Sequence, residues 1–215
     1  MSSIKLKHSG GNAVSLHPPT SAPTSSDVQF KLPTADGSAD QVLKTNGSGT
    51  LAFTTISAGI TEVDHWYLTS NITSSGNDAT ITGWSRKTSG PQANPHGTGM
   101  SESSGVFTFP STGKYLVMLN AKFACGVDDN LQVQHRATTD NFSTYSIVSA
   151  STDGQNGGSG IRAGSGTSFS FLDVTNTSNV KVKFHADSVG SNSHINGGNE
   201  YSSVTTVLFI RIADT

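Results

Sequence analysis

One cysteine, two tryptophans and only 13% charged residues among 215 exclude several classes of protein before any motif is weighed. The lone Cys125 can close no disulfide within the chain and can build no cysteine-based zinc site there. It reads as a small buried hydrophobe. Thirteen basic residues stand against fifteen acidic ones, a formal net charge of −2, and no Lys/Arg cluster is interleaved with aromatics. Nucleic acid is therefore not an expected partner. Apolar runs such as Val207 to Ile210 fall far short of the roughly 20 residues that span a bilayer, and no apolar stretch follows Met1. The expectation is a protein made in the cytosol that inserts into no membrane.

Catalytic patterns are missing too. There is no G-x-S-x-G elbow, and Gly158-Ser159-Gly160 lacks the strand-to-helix context such an elbow needs. Glu62, Glu102 and Glu200 are the only glutamates, and none sits in an aspartate cluster that suggests paired carboxylates. The histidines at 8, 17, 65, 96, 135, 185 and 194 show no metal-ligand spacing and read as surface or turn residues, with His194 as a candidate for a ring on an oligomer axis. Asp128-Asp129-Asn130 lacks the rhythm of a calcium loop and reads as a hairpin turn. The sequence thus predicts no catalytic residue, no metal, no cofactor and no enzyme.

What the chain does have is glycine, 23 copies, with abundant Ser and Thr and a net charge too small for wholesale disorder. That is the balance of a turn-rich β protein. From Thr61 onward, apolar segments recur at regular spacing between Gly, Asn, Asp and Ser. They predict strands near His65–Thr73, Ala79–Lys87, Gly105–Phe109, Lys114–Phe123, Leu131–Thr138, Thr144–Ala150, Thr167–Val174, Val180–Ala186 and Val204–Ala213. No helical period competes, so the fold class is all-β, an antiparallel double-sheet jelly-roll sandwich. Gly-rich Asp153 to Gly166 reads as a long surface loop.

Residues 1–60 follow another grammar. Ile4, Leu6 and His8 alternate into Ser9-Gly10-Gly11-Asn12 and out through Val14 and Leu16, which predicts a hairpin. A proline-rich linker, His17 to Ser26, follows. Phe30, Leu32 and Gln41 to Thr45 then read as short strands that turn at Asn46-Gly47-Ser48-Gly49 and return through Thr50 to Phe53. One copy carries too little apolar surface to offset its chain entropy, so this part should fold against copies of itself or another protein. The division is an attachment and oligomerisation segment at 1–60 and a head at 61–215.

Alternate residues of a strand face opposite ways, and two strands of the head are apolar on both faces. In Lys114–Phe123, Tyr115, Val117, Leu119 and Phe123 oppose Leu116 and Met118. In Val204–Ile212, Val204, Leu208, Ile210 and Ile212 oppose Val207 and Phe209. A sheet face that is apolar on its outer side needs a cover, and the economical cover is another subunit. The smaller sets, Leu116, Met118, Val207 and Phe209, are the expected interface. Trp66, Tyr67, Trp84 and Tyr201 are candidate stacking platforms for a glycan, the mark of a carbohydrate-binding module.

The run Gly105-Val106-Phe107-Thr108-Phe109-Pro110, with Gly113-Lys114-Tyr115-Leu116-Val117 and Thr205-Thr206-Val207-Leu208-Phe209-Ile210, resembles the trimeric jelly-roll head shared by complement subcomponents and tumour-necrosis-factor-type cytokines. The likeness covers about residues 62 to 213. It implies a jelly roll whose inner sheets pack about a threefold axis, a homotrimer. The segments Ile4 to Asn12, Phe30 to Ser38 and Gln41 to Leu51 resemble recurring parts of fibre, knob or head-decoration proteins of marine, largely cyanobacterial, tailed phages. That likeness implies a virion structural protein joined to other virion proteins through its N-terminal segment, displayed on the particle surface and able to touch host glycan. The chain lacks extended repeats and a heptad, so a stubby knob or short fibre fits better than a shaft.

Overall fold

Strict apolar alternation in the long segments builds strands, and in the computed structural model every described strand pairing is antiparallel. The structure describes residues 4–17, 19–23, 28–55, 59–74, 77–202 and 204–215. The chain divides into two units, Met1–Ser57 and Ala58–Thr215.

The first unit holds two hairpins. β1 (Ile4–Lys7) pairs with β2 (Ala13–Leu16), and β3 (Gln41–Thr45) with β4 (Leu51–Thr55). Asn46 shapes the second turn by accepting, through Oδ1, from the amides of Ser48 at 2.9 Å and Thr50 at 3.2 Å. Phe30 and Leu32, expected in a strand, contribute only a bridge between Lys31 and Thr50. No described residue of this unit is buried, and Ile4, Leu6, Leu16, Phe30 and Leu32 are all exposed. Part of the expected linker, at 18 and 24–26, lies outside the described residues.

The second unit is a sandwich. One sheet runs in the order β13 (Arg162–Val174), β10 (Gly113–Cys125), β16 (Thr206–Ala213), β5 (Glu62–Leu68), β7 (Trp84–Arg86), with β15 (His194–Ile195) added beside β10. The other runs β12 (Ser146–Gln155), β11 (Asp129–Thr138), β14 (Lys181–Asp187), β9 (Val106–Thr108), β8 (Ser101–Ser103), with β6 (Ala79–Thr80) beside β14. Neighbours that are far apart in sequence, such as β13 beside β10 and β16 beside β5, make this the jelly roll that the spacing predicted. The strand predicted at 79–87 is split at Gly83, whose positive φ breaks the extended run, and the strand predicted at 65–73 lies instead at Glu62–Leu68.

Aromatic rings fill the space between the sheets. Phe107 of β9 stands 5.3 Å edge-on from Trp66, 4.9 Å from Phe209 and 5.8 Å from Phe184, while Phe109 packs 4.6 Å from Tyr115. Aromatic contacts of this kind, edge-on or tilted, add about 0.5–1.5 kcal/mol each beyond burial.

The glycine-rich stretch departs from expectation. Asp153 to Gly166 is mostly strand: β12 continues to Gln155 and β13 begins at Arg162, so only a short connection lies between them. The glycines serve close approach. A Cβ at Gly164 would collide with the carboxylate of Asp153, and one at Gly166 with the hydroxyl of Ser151. Strand β13 thus lies against β12, at the edge of the opposite sheet, too closely for a side chain at those positions.

His135 is another correction, because it is fully buried between the sheets and not on the surface. Its Nδ1 lies 3.1 Å from the Ser170 hydroxyl and its Nε2 2.9 Å from that of Ser168, and its ring meets Phe184 edge-on at 5.0 Å. Burial lowers its pKa to about 4, against 6.5 in an unfolded chain. Between those values the unfolded chain binds the extra proton, so stability is full above pH 6.5 and falls as pH drops toward 4. The loss should reach about 3 kcal/mol. Urea midpoints at pH 7, 5.5 and 4 test this, and His135→Gln should flatten the slope; an equal slope in the variant would refute the assignment.

Candidate functional site

The register of β10 with its neighbours decides which apolar face is inside. Leu116 opposes Ile210 and Met118 opposes Leu208, while Val117 opposes Phe209 and Leu119 opposes Val207. Directly opposed residues share a face. Tyr115, Val117, Leu119, Val207 and Phe209 are buried in the core, and Leu116, Met118, Leu208 and Ile210 line the outer face, half-buried. Of the four residues expected at an interface, two therefore lie on the outer face and two in the core. Leu116 and Met118 face outward, whereas Val207 and Phe209 face the aromatic core, because only that face of β16 meets Phe107 and Phe109.

The outer face is wider than sequence reasoning foresaw. On the far side of β10, Phe171 opposes Leu116 and Phe169 opposes Met118, and both rings protrude, 56% and 67% exposed. On the far side of β16, Val63 opposes Ile210, His65 opposes Leu208 and Tyr67 opposes Thr206, all half-buried. A band of apolar side chains thus crosses four strands. The signal for β13 was present, since Phe169 and Phe171 alternate with Ser168 and Ser170, but hydroxyls on the core face disguised which side was in. Serines face inward there because two of them bind His135.

A recess of roughly 290 Å³ ends the band beside β5, lined by Val63, His65, Leu208, Pro91, Ala93 and His96. The backbone of His96 exchanges two hydrogen bonds with Val63, at 3.0 and 2.8 Å, and its Nε2 lies 3.0 Å from the Ile60 carbonyl oxygen. Burial, and then the charge of Lys87, hold His65 below the usual histidine pKa. At this site a neutral imidazole is a half-buried, weakly polar member of an apolar surface.

Trp66 and Trp84 are not surface platforms. Both are buried; the indole of Trp66 donates to Asp64 Oδ2 at 2.8 Å and that of Trp84 to the Ile81 carbonyl at 3.1 Å. Indole N–H groups buried in a core need such acceptors. Tyr67 lies half-buried on the apolar band and Tyr201, 90% exposed, stands in a loop, so the four expected stacking residues do not form one site.

Carboxylates elsewhere brace loops. Glu62 accepts from the amides of Thr98 and Gly99, Glu102 from that of Gly105, and Glu200 from those of Thr88 and Ser89. These amide bonds hold Glu200 below its usual pKa, the Thr88 amide foremost. Asp129 binds the Ser193 hydroxyl and the Asn130 amide, and Asp128 accepts from the Gly157 amide at 2.7 Å. Among the described residues no group of three or more His, Cys, Asp or Glu side chains is placed to hold a metal ion. No described helix is long and apolar enough to cross a membrane. His194 sits in β15 opposite Ala124, half-buried.

The sandwich is a jelly roll whose fold is like that of tumour-necrosis-factor-type proteins. The chain is similar to the solved structure of Eiger TNF from S. frugiperda at a TM-score of 0.53 and 13% identity, covering 73% of this chain and 95% of that one. It is similar to murine APRIL at pH 5.0 at a TM-score of 0.51 and 11% identity, covering 70% of this chain and 98% of that one. No protein-family model matches the chain, and no curated protein does.

Proposed function

We propose that the protein is a non-enzymatic virion structural protein of a bacteriophage, a homotrimeric knob or short fibre whose jelly-roll head is displayed on the particle surface. The observation that carries the reading is the apolar band on the outer face of the β13-β10-β16-β5-β7 sheet, which a lone head would leave in water. The two ends of the band differ. Phe169 and Phe171 protrude at one end, and the recess at Val63, His65 and Leu208 lies at the other. A contact between unlike ends is heterologous, and copies joined that way form a ring when the rotation between them closes. Three copies make the ring in the family that the head resembles.

The virion assignment is supported by the N-terminal segments and their likeness to phage fibre, knob and head-decoration proteins. The first unit, with its exposed Ile4, Leu6, Leu16, Phe30 and Leu32, offers apolar surface for other virion proteins or further copies. Two experiments test the reading. Sedimentation equilibrium of the purified chain should return the mass of three copies, and Leu116→Asp should return one copy with unchanged circular dichroism; a wild-type monomer at micromolar concentration would overturn the assembly. Gold-labelled antibody against residues 61–215 should decorate intact particles, and particles that stay bare while the protein is found free in the lysate would overturn the virion role.

A further inference from the structure

The opposite sheet carries a feature that self-association does not use. On the outer face of β11 and β14, Arg136 and Lys183 are direct cross-strand partners. Like charges in that position repel and are destabilising. Among the described residues neither has a carboxylate within ion-pair distance. Arg136 donates through Nε to Gln134 at 2.9 Å, and the Lys183 ammonium has no described hydrogen-bond acceptor. The neighbouring acids are taken: Asp187 accepts from Gln134 at 3.0 Å, Asp78 lies 3.0 Å from His185 Nε2, and Asp140 binds Thr138 and Thr144.

Aromatic rings hold the two cations. Arg136 lies 4.7 Å from the Tyr145 ring centre, and Lys183 lies 4.4 Å from that of Phe142 and 5.8 Å from that of Tyr145. Such contacts orient a cation without neutralising it. The loop that presents the rings is built at a cost in backbone strain, with Asn141 and Phe142 both at positive φ, 57° and 64°. Thr138 Oγ1 accepts from the amides of Asp140 and Phe142, Asp140 accepts from the amide and hydroxyl of Thr144, and the Asn141 amide donates to the Asn179 carbonyl at 3.0 Å. Those hydroxyl and amide donors hold the Asp140 carboxyl down to about 2.

We infer that Arg136, Lys183, Phe142 and Tyr145 form a binding site for an acidic saccharide. Two cations side by side without an ion-pair partner among the described residues take its carboxylate or sulfate, with the Arg136 fork suited to two of its oxygens. The half-exposed Tyr145 ring offers an apolar face and a hydroxyl to the sugar ring. Gln132, Thr152 and Gln134, joined by side-chain hydrogen bonds on the same face, present further polar groups to sugar hydroxyls. A display head with such a site would hold a charged glycan coat, and three sites per trimer would multiply a weak single contact. The site deepens the proposed surface role without resting on the trimer, since it lies on the other sheet.

Calorimetry on the full chain tests it, with trigalacturonate and a heparin-derived hexasaccharide as carboxylated and sulfated probes, maltotriose as a neutral one and hexaglutamate as an acidic peptide. One or both acidic saccharides should bind, and which one does identifies the anion. Arg136→Gln and Lys183→Gln should each weaken binding about tenfold or more, whereas Lys44→Gln, an exposed charge of the first unit, should change nothing. Binding should persist in Leu208→Asp, which separates this site from the assembly reading. Near-ultraviolet circular dichroism reports whether each variant is folded; Tyr145→Ala, which leaves both cations in place, should also weaken saccharide binding. No heat from either acidic saccharide up to about 10 mM, hexaglutamate binding as tightly, or equal loss in Lys44→Gln would overturn the site.

Discussion

Phe209→Asp should abolish the folded head, while Leu208→Asp, one residue earlier, should leave the head folded and only dissociate it. Phe209 is buried, with its ring 4.9 Å from Phe107 and 6.4 Å from Phe109. Removing a buried phenylalanine costs about 3–5 kcal/mol, and an unpaired carboxylate in its place costs several kcal/mol more. Together these fall within the 5–15 kcal/mol that typically holds a domain together, a loss large enough to unfold it. Leu208 points the other way, half-buried on the apolar band beside Met118 and His65. A carboxylate there can stay in water in the monomer, but in a ring it is desolvated in every copy. Each such loss at a packed interface is worth about 2 kcal/mol or more. Circular dichroism and sedimentation on the two variants give the answer, and a folded Phe209→Asp protein would reverse the assignment of faces.

Asp64→Ala should be the most costly polar substitution in the head. Asp64 is 2% exposed and receives four hydrogen bonds: Arg86 Nε and Nη2 at 2.9 Å each, the Trp66 indole at 2.8 Å and the Met100 amide at 2.7 Å. Arg86 also lies 4.6 Å over the Trp66 ring and donates to the Met100 carbonyl. One carboxylate therefore fastens β5, β7 and the segment entering β8. Removing it leaves a largely buried guanidinium and two N–H donors without their acceptor, a loss of about 3–5 kcal/mol. For a unit of this size that lowers the melting temperature by roughly 6–20 °C. Asp64→Asn should cost less, because it keeps the shape and one accepting oxygen. A calorimetric loss below about 1 kcal/mol for the alanine variant would mean that the ion pair merely offsets its own desolvation.

Much of the head is legible in the sequence because its strands are long and its alternation is clean. Leu131 and Val133 against Gln132 and Gln134, and Val182 and Phe184 against Lys183 and His185, admit one orientation, and the structure has it. Glycine misled at Asp153 to Gly166, where it permits close approach to β12 and not a loop. Histidine misled at His135, whose partners Ser168 and Ser170 lie more than thirty residues away, at separations of 33 and 35. Tryptophan misled at Trp66 and Trp84, because the acceptors that let an indole be buried, Asp64 and the Ile81 carbonyl, are recognised as partners only in three dimensions.

The cation site was illegible for a related reason. Arg136 and Lys183 are 47 positions apart by their numbers, and only the β11 and β14 register makes them neighbours. Sequence by itself determined an all-β chain, a two-sheet head with strands of period two, short hairpins before it, and two long strands apolar on both faces. Tertiary structure alone decided which of those two faces is inside. Alternation gives a strand two sides but no sign, and when both are apolar only the register with neighbouring strands and the packing of the opposite sheet can choose between them.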